Sequence, residues 1–209
     1  MLSVEDTGPV APANNSKGRS GSRSPLFFFR EFLEKPKEVA YIFPSSPALE
    51  TKIAKVSGLS EAKVVVELGP GTGGTTSALL RHMSPDARLL AIEINPKMAD
   101  EVRNNVDDPR LIVHVGDAAK IGEALALHNL EGPQAVVSGI PFSCIPEDIG
   151  SAIQKSICEC LSPGGRFVAY QLRDHVAKIG STVFGDPKIC WEWANFPPMR
   201  IFRFDKPAN

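Results

Sequence analysis

A carboxylate followed by a glycine-rich loop is the part of this chain with the clearest chemical meaning. The apolar run Val64–Val66 is followed directly by Glu67-Leu-Gly69-Pro-Gly71-Thr-Gly73-Gly74. A buried strand that delivers a loop without side-chain bulk, followed by a helix from Thr75, lets backbone N–H groups approach a nucleoside closely. Glu67 stands where the amine or hydroxyl groups of a ligand need an acceptor. The pattern therefore indicates a nucleoside ligand with a positive group.

Three classes of nucleotide ligand use glycine-rich loops, and the neighbouring residues separate them. A triphosphate loop ends in Gly-Lys-Ser/Thr, whereas Thr75 follows Gly74 here without a lysine. The dinucleotide pattern is formally matched, with Glu93 20 residues after Gly73, but Glu67 would repel a pyrophosphate. S-adenosylmethionine carries an ammonium and a sulfonium, so it is the predicted cofactor. A glycine-rich turn without a ligand is the remaining alternative, and it would cost chain entropy without a packing benefit.

Predicted strands and helices alternate from residue 63 to residue 172. Two short runs near the C-terminus predict an antiparallel strand pair. The segment Arg173–Lys188, which precedes this pair, is predicted to be a loop over the site. The fold class is α/β: a Rossmann-like, doubly wound, mostly parallel seven-stranded sheet with a C-terminal antiparallel strand pair and N-terminal helices. The predicted strands are Lys63–Leu68, Arg88–Glu93, Leu111–Val115, Gln134–Ser138, Arg166–Leu172, Cys190–Ala194 and Met199–Phe204; the predicted helices are Thr75–His82, Pro96–Asn105, Ile121–His128 and Pro146–Leu161.

Polar residues fall at the carboxyl ends of four predicted strands, where ligands bind in open parallel sheets. Glu93 is predicted to accept both ribose hydroxyls, and Glu67 to face the ammonium of the cofactor. Asp117 is predicted to accept the adenine amine, while the Ala118 N–H donates to a ring nitrogen. A helix cap or a surface charge is the alternative for each carboxylate. The predicted cofactor contacts are Glu67, Gly69, Gly71, Thr72, Gly73, Thr75, Glu93, Ile94, Asp117, Ala118 and Ser138.

Together these motifs resemble the class I S-adenosylmethionine-dependent methyltransferases over about residues 60–172. A narrower resemblance, over about residues 27–204, is to the bacterial phospholipid N-methyltransferases, which are themselves similar to the rRNA adenine dimethylases. The resemblance implies an enzyme that transfers methyl to an amine, foremost a phospholipid head group of the phosphatidylethanolamine type. The segments that carry it are Pro36–Ser46, Ser138–Pro141, Leu161–Gly165 and Trp193–Pro198.

The loop after the fourth strand is predicted to hold the acceptor. An amine must be neutral to attack, and the carbonyls of Ser138, Gly139 and Ile140 are placed to accept its hydrogens and orient its lone pair. Pro141 is expected to stiffen this loop. In the resemblance, Tyr41 and Ser45 or Ser46 face the acceptor, with capping as the alternative for the serines. Tyr41 and Ser138–Pro141 are therefore the predicted catalytic residues.

Other acceptors and roles stay open. Amino-adenine methyltransferases of RNA or DNA often carry Asn or Asp at this loop; Ser138 replaces that amide, but Phe142 keeps the aromatic residue that follows. A small-molecule methyltransferase is a further alternative, as is a cofactor-binding regulatory domain without catalysis. Asp174 and His175 are candidate bases, with ordinary loop residues as the favoured interpretation. Trp191 and Trp193 alternate to one face and are predicted to be core.

Composition restricts the partners. The 209 residues carry a net charge of −1, so nucleic acid is less favoured than a lipid or small-molecule amine. The four cysteines are scattered and are interpreted as reduced thiols of a cytoplasmic protein, with no metal site. No run of roughly 18 apolar residues predicts a membrane span.

The N-terminal region is expected to differ from the rest of the chain. Residues 1–24 are rich in Ser, Pro, Gly and Asn and are expected to form a disordered tail. Residues 25–57 are expected to form a helical lid or a membrane-contact segment. In particular, the phenylalanines within residues 25–35 would touch the inner membrane face peripherally, with packing across the sheet as the alternative. Residues 58–209 are expected to form the S-adenosylmethionine-binding methyltransferase domain.

Overall fold

The structure is a computed structural model, and it describes residues 45–208. The predicted tail, the segment 25–35 and Tyr41 lie outside the described residues. Short 3-10 turns follow β3 and β4. The strands are β1 Val64–Leu68, β2 Arg88–Glu93, β3 Leu111–Val115, β4 Ala135–Ser138, β5 Arg166–Gln171, β6 Lys188–Glu192 and β7 Met199–Asp205; the helices are α1 Pro47–Ser57, α2 Gly74–His82, α3 Pro96–Asn105, α4 Ile121–Leu127, α5 Glu147–Cys160 and α6 His175–Phe184.

All seven strands belong to one sheet in the order β3-β2-β1-β4-β5-β7-β6. The first five pair in parallel, whereas β7 runs antiparallel between β5 and β6. The strand order reverses between β1 and β4, and open α/β sheets bind ligands in the crevice outside the strand ends at such a point. The predicted fold class is confirmed.

Helices cover both faces of this sheet because its central strands are apolar on both sides. Val65 and Val66 are both fully buried, each on a different face. One face packs against α1 and α2, with Leu49 and Ile53 of α1 fully buried. The opposite face packs against α4, α5 and α6 around Phe167 of β5, whose ring stacks on that of Phe204 of β7. The core therefore holds the strand ends rigidly in register.

The segment Arg173–Lys188 differs from its prediction as a loop. It contains helix α6, and strand β6 begins at its last residue. The buried residues of α6 are Val176, Ile179 and Gly180, at helical spacing. A Cβ on Gly180 would lie 2.5 Å from the ring of Phe204, so the glycine that suggested a loop instead allows the helix to pack closely on β7.

The prediction from their alternation that the two tryptophans are core residues is wrong. Trp191 is 41% exposed and Trp193 is 70% exposed, and their rings stack at a centroid distance of 5.0 Å. They do lie on one side, but β6 is the edge strand and α6 packs on β7, so no described helix covers them. Within residues 45–208, no helix has both the length and the apolar character that crossing a membrane requires.

Candidate active site

The glycine-rich loop turns sharply between β1 and α2. Gly69, Gly71 and Gly73 all have positive φ angles, at 70°, 58° and 90°. The Gly69 N–H donates to the Ile92 carbonyl at 3.0 Å, which fixes the start of the loop to β2. No atom lies within 4 Å of an ideal Cβ on Gly71, so the backbone at that position faces open space. The loop therefore leaves room for a ligand against its own backbone.

Glu67 is a buried carboxylate with half of its hydrogen-bonding capacity unused. The Thr76 hydroxyl donates to Glu67 Oε2 at 2.6 Å, whereas Oε1 has no partner in the described part of the chain. Burial raises the pKa of this carboxyl to about 7; the Thr76 hydrogen bond lowers it and the charge of Glu93 raises it. A cationic group near Oε1 would compensate the desolvated charge.

Glu93 ends β2 and holds the glycine loop from the other side. Its Oε1 accepts the Asn95 N–H at 3.0 Å. Burial raises the pKa of Glu93, against hydrogen bonds from the backbone N–H groups of Asn95, Gly71 and Ile94. The carboxylate therefore contacts the loop at Gly71 and lines the cleft beside it. This position suits an acceptor of ligand hydroxyls.

Asp117 is a cap and also lines the cleft. Its Oδ1 accepts the Ala119 N–H at 2.9 Å, which begins a 3-10 turn at Ala118. The alternative that the sequence left open, capping, is thus what the structure shows for Oδ1. The other carboxylate oxygen has no such partner among the described residues, so it can serve a ligand.

Glu93 and Asp117 line a shallow cleft at the carboxyl ends of β1, β2, β3 and β4, whereas Glu67 lies buried beside it. Five of the predicted cofactor residues line it, and isoleucines form most of the remaining wall. Such an apolar slot with carboxylates at its rim suits a flat base joined to a sugar. The lining residues are Gly69, Ile92, Glu93, Ile94, Gly116, Asp117, Ala118, Ile140, Ile149 and Ile153.

The other predicted cofactor residues lie beside the cleft instead of lining it. Thr72 is exposed, and its carbonyl accepts from Asn105 at 3.1 Å. Gly73 is buried, and a Cβ there would lie 3.0 Å from Val106. The hydroxyl of Thr75 is 3.2 Å from that of Tyr170. These residues therefore shape the loop and its attachment to α2 and β5.

The predicted acceptor loop is fixed by residues that sequence reasoning missed. Ser138 is fully buried, and its hydroxyl accepts the Ile140 N–H at 3.2 Å. The Ile140 carbonyl accepts from the buried side chain of Gln171 at 2.6 Å, so it is already engaged. A Cβ on Gly139 would lie 2.8 Å from the Tyr170 hydroxyl. Tyr170 and Gln171 end β5, and their position at a strand end was the signal available from sequence.

Several other candidates have structural roles. Phe142 is 1% exposed and packs edge-on against Phe167 at 6.4 Å. Asp174 precedes α6 and pairs with Lys178 at 3.7 Å, and neither Asp174 nor His175 lines the cleft. Ser46 caps α1 by accepting the Leu49 N–H at 3.2 Å. Pro141 is the last residue of the predicted acceptor loop and directly precedes the 3-10 turn that begins at Phe142.

Known proteins share this sequence pattern and this fold. Residues 65–165 match the family described as a methyltransferase domain. An ornithine lipid N-methyltransferase of Singulisphaera acidiphila is 29% identical over 143 residues, which are 68% of this chain and 74% of that protein. Residues 65–165 therefore carry a methyltransferase domain of the S-adenosylmethionine-dependent kind. The predicted enzyme class and cofactor are confirmed, and the carboxylates and glycines described above fit that cofactor.

Two further similarities concern the sequence and the fold. The ribosomal RNA small subunit methyltransferase A of Thermobifida fusca is 29% identical over 166 residues, which are 74% of this chain. The match covers 54% of that protein, so the chain spans about half its length. An O-methyltransferase from Bacillus cereus, solved in complex with SAH, has a TM-score of 0.63 at 15% identity; the match covers 90% of this chain and 93% of that one. That likeness is one of fold.

Proposed function

We propose that this methyltransferase transfers methyl to the amine of a lipid head group. When bound, the cofactor supplies an electrophilic methyl group on a sulfonium. In this proposal Glu93 accepts the ribose hydroxyls, Asp117 and Ala118 contact the base, and Glu67 faces the ammonium. The residues of the chain bind and orient both partners in a site that excludes water.

The buried ring of Phe142 is the observation that carries the choice of acceptor. Methylation of an adenine amine would use an aromatic face after this loop to stack on the base. Here that ring is 1% exposed and packed against Phe167. An aliphatic amine needs hydrogen-bond acceptors but no stacking partner. The similarity to an ornithine lipid N-methyltransferase over most of both chains supports the same choice.

The Gly139 carbonyl is the proposed anchor for the acceptor amine. Ile140 was an equal candidate by sequence, but its carbonyl already accepts from Gln171. Among the described residues, no hydrogen-bond donor reaches the Gly139 carbonyl. An amine N–H that donates to this oxygen would direct its lone pair away from the loop. Gln171 and Tyr170 are positioning residues in this proposal, because each holds the loop from β5.

The proposal also covers the N-terminal region and the location. Residues 25–57 would close over the acceptor, and a lipid acceptor would place the enzyme peripherally at the cytoplasmic face of a membrane. The methyltransferase domain would be residues 58–209, with Tyr41 reaching the acceptor from outside it. In the described part of the first segment, the Ser46 N–H donates to Asn195 at 2.9 Å, so this segment is attached beside the β6–β7 turn.

Labelled methyl transfer tests the proposal directly. Purified protein would be given cofactor labelled in the methyl group together with phosphatidylethanolamine, ornithine lipid, small-subunit rRNA or small soluble amines. The expected result is label on an amine lipid, and no label with the Gly71→Val variant as the cofactor-binding control. If rRNA takes up the label and the lipids do not, the lipid acceptor is refuted and adenine methylation is favoured.

A further inference from the structure

An exposed aromatic surface lies at the edge of the sheet next to the proposed acceptor site. It consists of four residues of β6 and of the turn that joins it to β7, here called the tip patch. The side chains are 52%, 41%, 70% and 86% exposed for Ile189, Trp191, Trp193 and Phe196. Scattered apolar side chains on a surface are ordinary, but four on one strand and its turn, two of them stacked tryptophans, indicate an interaction site.

The tip patch is held by specific contacts and is not a frayed loop. Asn195 is 2% exposed; its side chain accepts the Ser46 N–H and donates to the Pro197 carbonyl, both at 2.9 Å. The Glu192 carboxylate accepts the Ala194 N–H at 2.9 Å. These bonds fix the backbone of the turn from within, so docking does not require the turn itself to be ordered first. A surface built in this way is suited to docking.

Strand register places the tip patch at the carboxyl ends of the parallel strands, which is also where the active site lies. Trp191 pairs with Arg200, and Arg200 pairs with Gln171 at the end of β5. Gln171 in turn donates to the Ile140 carbonyl of the acceptor loop. Three strand spacings separate β4 from β6, which is about 14 Å at ~4.8 Å each. A ligand surface that touches the tip patch is therefore within reach of the acceptor loop.

Charge around the tip patch is positive. Arg200 lies 5.3 Å from the centroid of the Trp191 ring and donates to the Leu172 carbonyl. Arg173 is exposed in the bend that follows β5. The carboxylates at this end of the strands are paired with other cations: Glu192 with Lys52, and Asp174 with Lys178. Within residues 45–208 neither arginine has a carboxylate partner, and tryptophan beside such an arginine is a combination suited to the level of lipid head groups.

We propose that the tip patch docks the enzyme on the interface of a lipid bilayer that contains anionic lipid. This inference rests on the proposed lipid acceptor and adds the surface by which the enzyme meets it. Docked there, the carboxyl ends of the strands face the membrane. The acceptor amine then reaches the Gly139 carbonyl without extraction of the lipid.

Tryptophan fluorescence of the full chain tests this proposal, because its two tryptophans are both in the tip patch. Vesicles of phosphatidylethanolamine with phosphatidylglycerol would be added with and without acyl-brominated lipid. We expect a blue shift and quenching by the brominated lipid. Phe196→Ser keeps both tryptophans and should weaken vesicle binding about tenfold or more. Leu127→Ser is the matched control; Leu127 is 68% exposed at the end of α4 and should leave binding unchanged.

Other results would overturn the proposal. Flotation of the protein with vesicles while emission stays unchanged would place the membrane contact elsewhere. Emission that is blue-shifted and shielded before vesicles are added would mean that another segment or a second copy covers the patch. A response to single-stranded RNA and not to vesicles would assign the patch to stacking on bases. Methyl transfer to a short-chain amine lipid below its micelle concentration tests the proposed function separately, and Phe196→Ser should retain it.

Discussion

Substitution of Glu67 by glutamine tests whether the buried carboxyl controls stability through its proton. The folded chain raises the pKa of this group from 4.5 to about 7, chiefly by burial. Between these two pH values the folded state holds a proton that the unfolded chain has released. Stability therefore falls as pH rises from 4.5 towards about 7 and then levels off. Glutamine keeps the shape of the side chain and cannot ionise.

The size of the effect follows from the pKa difference. Each pKa unit corresponds to about 1.4 kcal/mol, so the change from 4.5 to about 7 gives about 3.5 kcal/mol as an upper value. Near pH 4.5 both folded proteins carry a neutral group at this position and should have similar stability. Above pH 8 or so, Glu67→Gln should be more stable than the natural sequence by up to about 3.5 kcal/mol. The Thr76 hydroxyl can still donate to the amide oxygen.

Urea unfolding followed by circular dichroism at a series of pH values measures this difference. Comparing the two proteins at each pH cancels the titration of groups that do not interact with Glu67; Glu93, whose charge raises the pKa of Glu67, is not among them. Thr76→Val supplies a control, because loss of the hydrogen bond that lowers the pKa of Glu67 should move the end of the pH window upward. A stability difference that does not change with pH, or a glutamine variant that is less stable at pH 8, would refute the reasoning.

Three further substitutions test the proposed cofactor contacts and the packing of α6. Glu93→Ala should weaken S-adenosylmethionine binding at least about tenfold in calorimetry, because hydrogen bonds to a charged acceptor contribute roughly 1.5–3 kcal/mol each; unchanged affinity would contradict the assignment. Gly71→Val should abolish cofactor binding while the circular dichroism spectrum is retained. At a φ of 58° the valine side chain would project into the open space in which the ligand is expected to lie. Retained binding would show that these glycines serve only to make the turn. Gly180→Ala should lower stability by roughly 1–3 kcal/mol in urea unfolding through overpacking against Phe204; an equally stable variant would show that α6 can shift.

Periodicity in the sequence predicted most of the sheet because its strands are short apolar runs between clear helix signals. Arg88–Glu93, Pro96–Asn105 and Leu111–Val115 have the predicted bounds to the residue. Proline at the first position of α3 and Asn95 as its cap are local signals. The predicted position of the cleft at the strand ends needed the fold class and nothing more.

What the sequence could not predict depends on contacts between distant residues. Gln171 and Ile140 are 31 positions apart, and no local pattern announces that one carbonyl of the acceptor loop is taken. Phe142 reads equally well as a stacking ring or as core until Phe167 is seen against it. Trp191 and Trp193 alternate like core residues, but whether a helix covers an edge strand is decided by how far the helix layer extends.

The acceptor loop and the tip patch are linked through the sheet, which makes docking and positioning parts of one arrangement. Gln171 contacts the Ile140 carbonyl and pairs with Arg200, whose guanidinium lies against the Trp191 ring. With 23 basic and 24 acidic residues, the chain has no general attraction to a polyanion, so recognition must come from a local surface. The tip patch is aromatic and its turn is held by specific contacts, with Arg200 beside it. A bilayer interface presents both apolar depth and anionic head groups to such a surface, so the proposed docking would bring a lipid to the end of the strands at which the cofactor is proposed to bind.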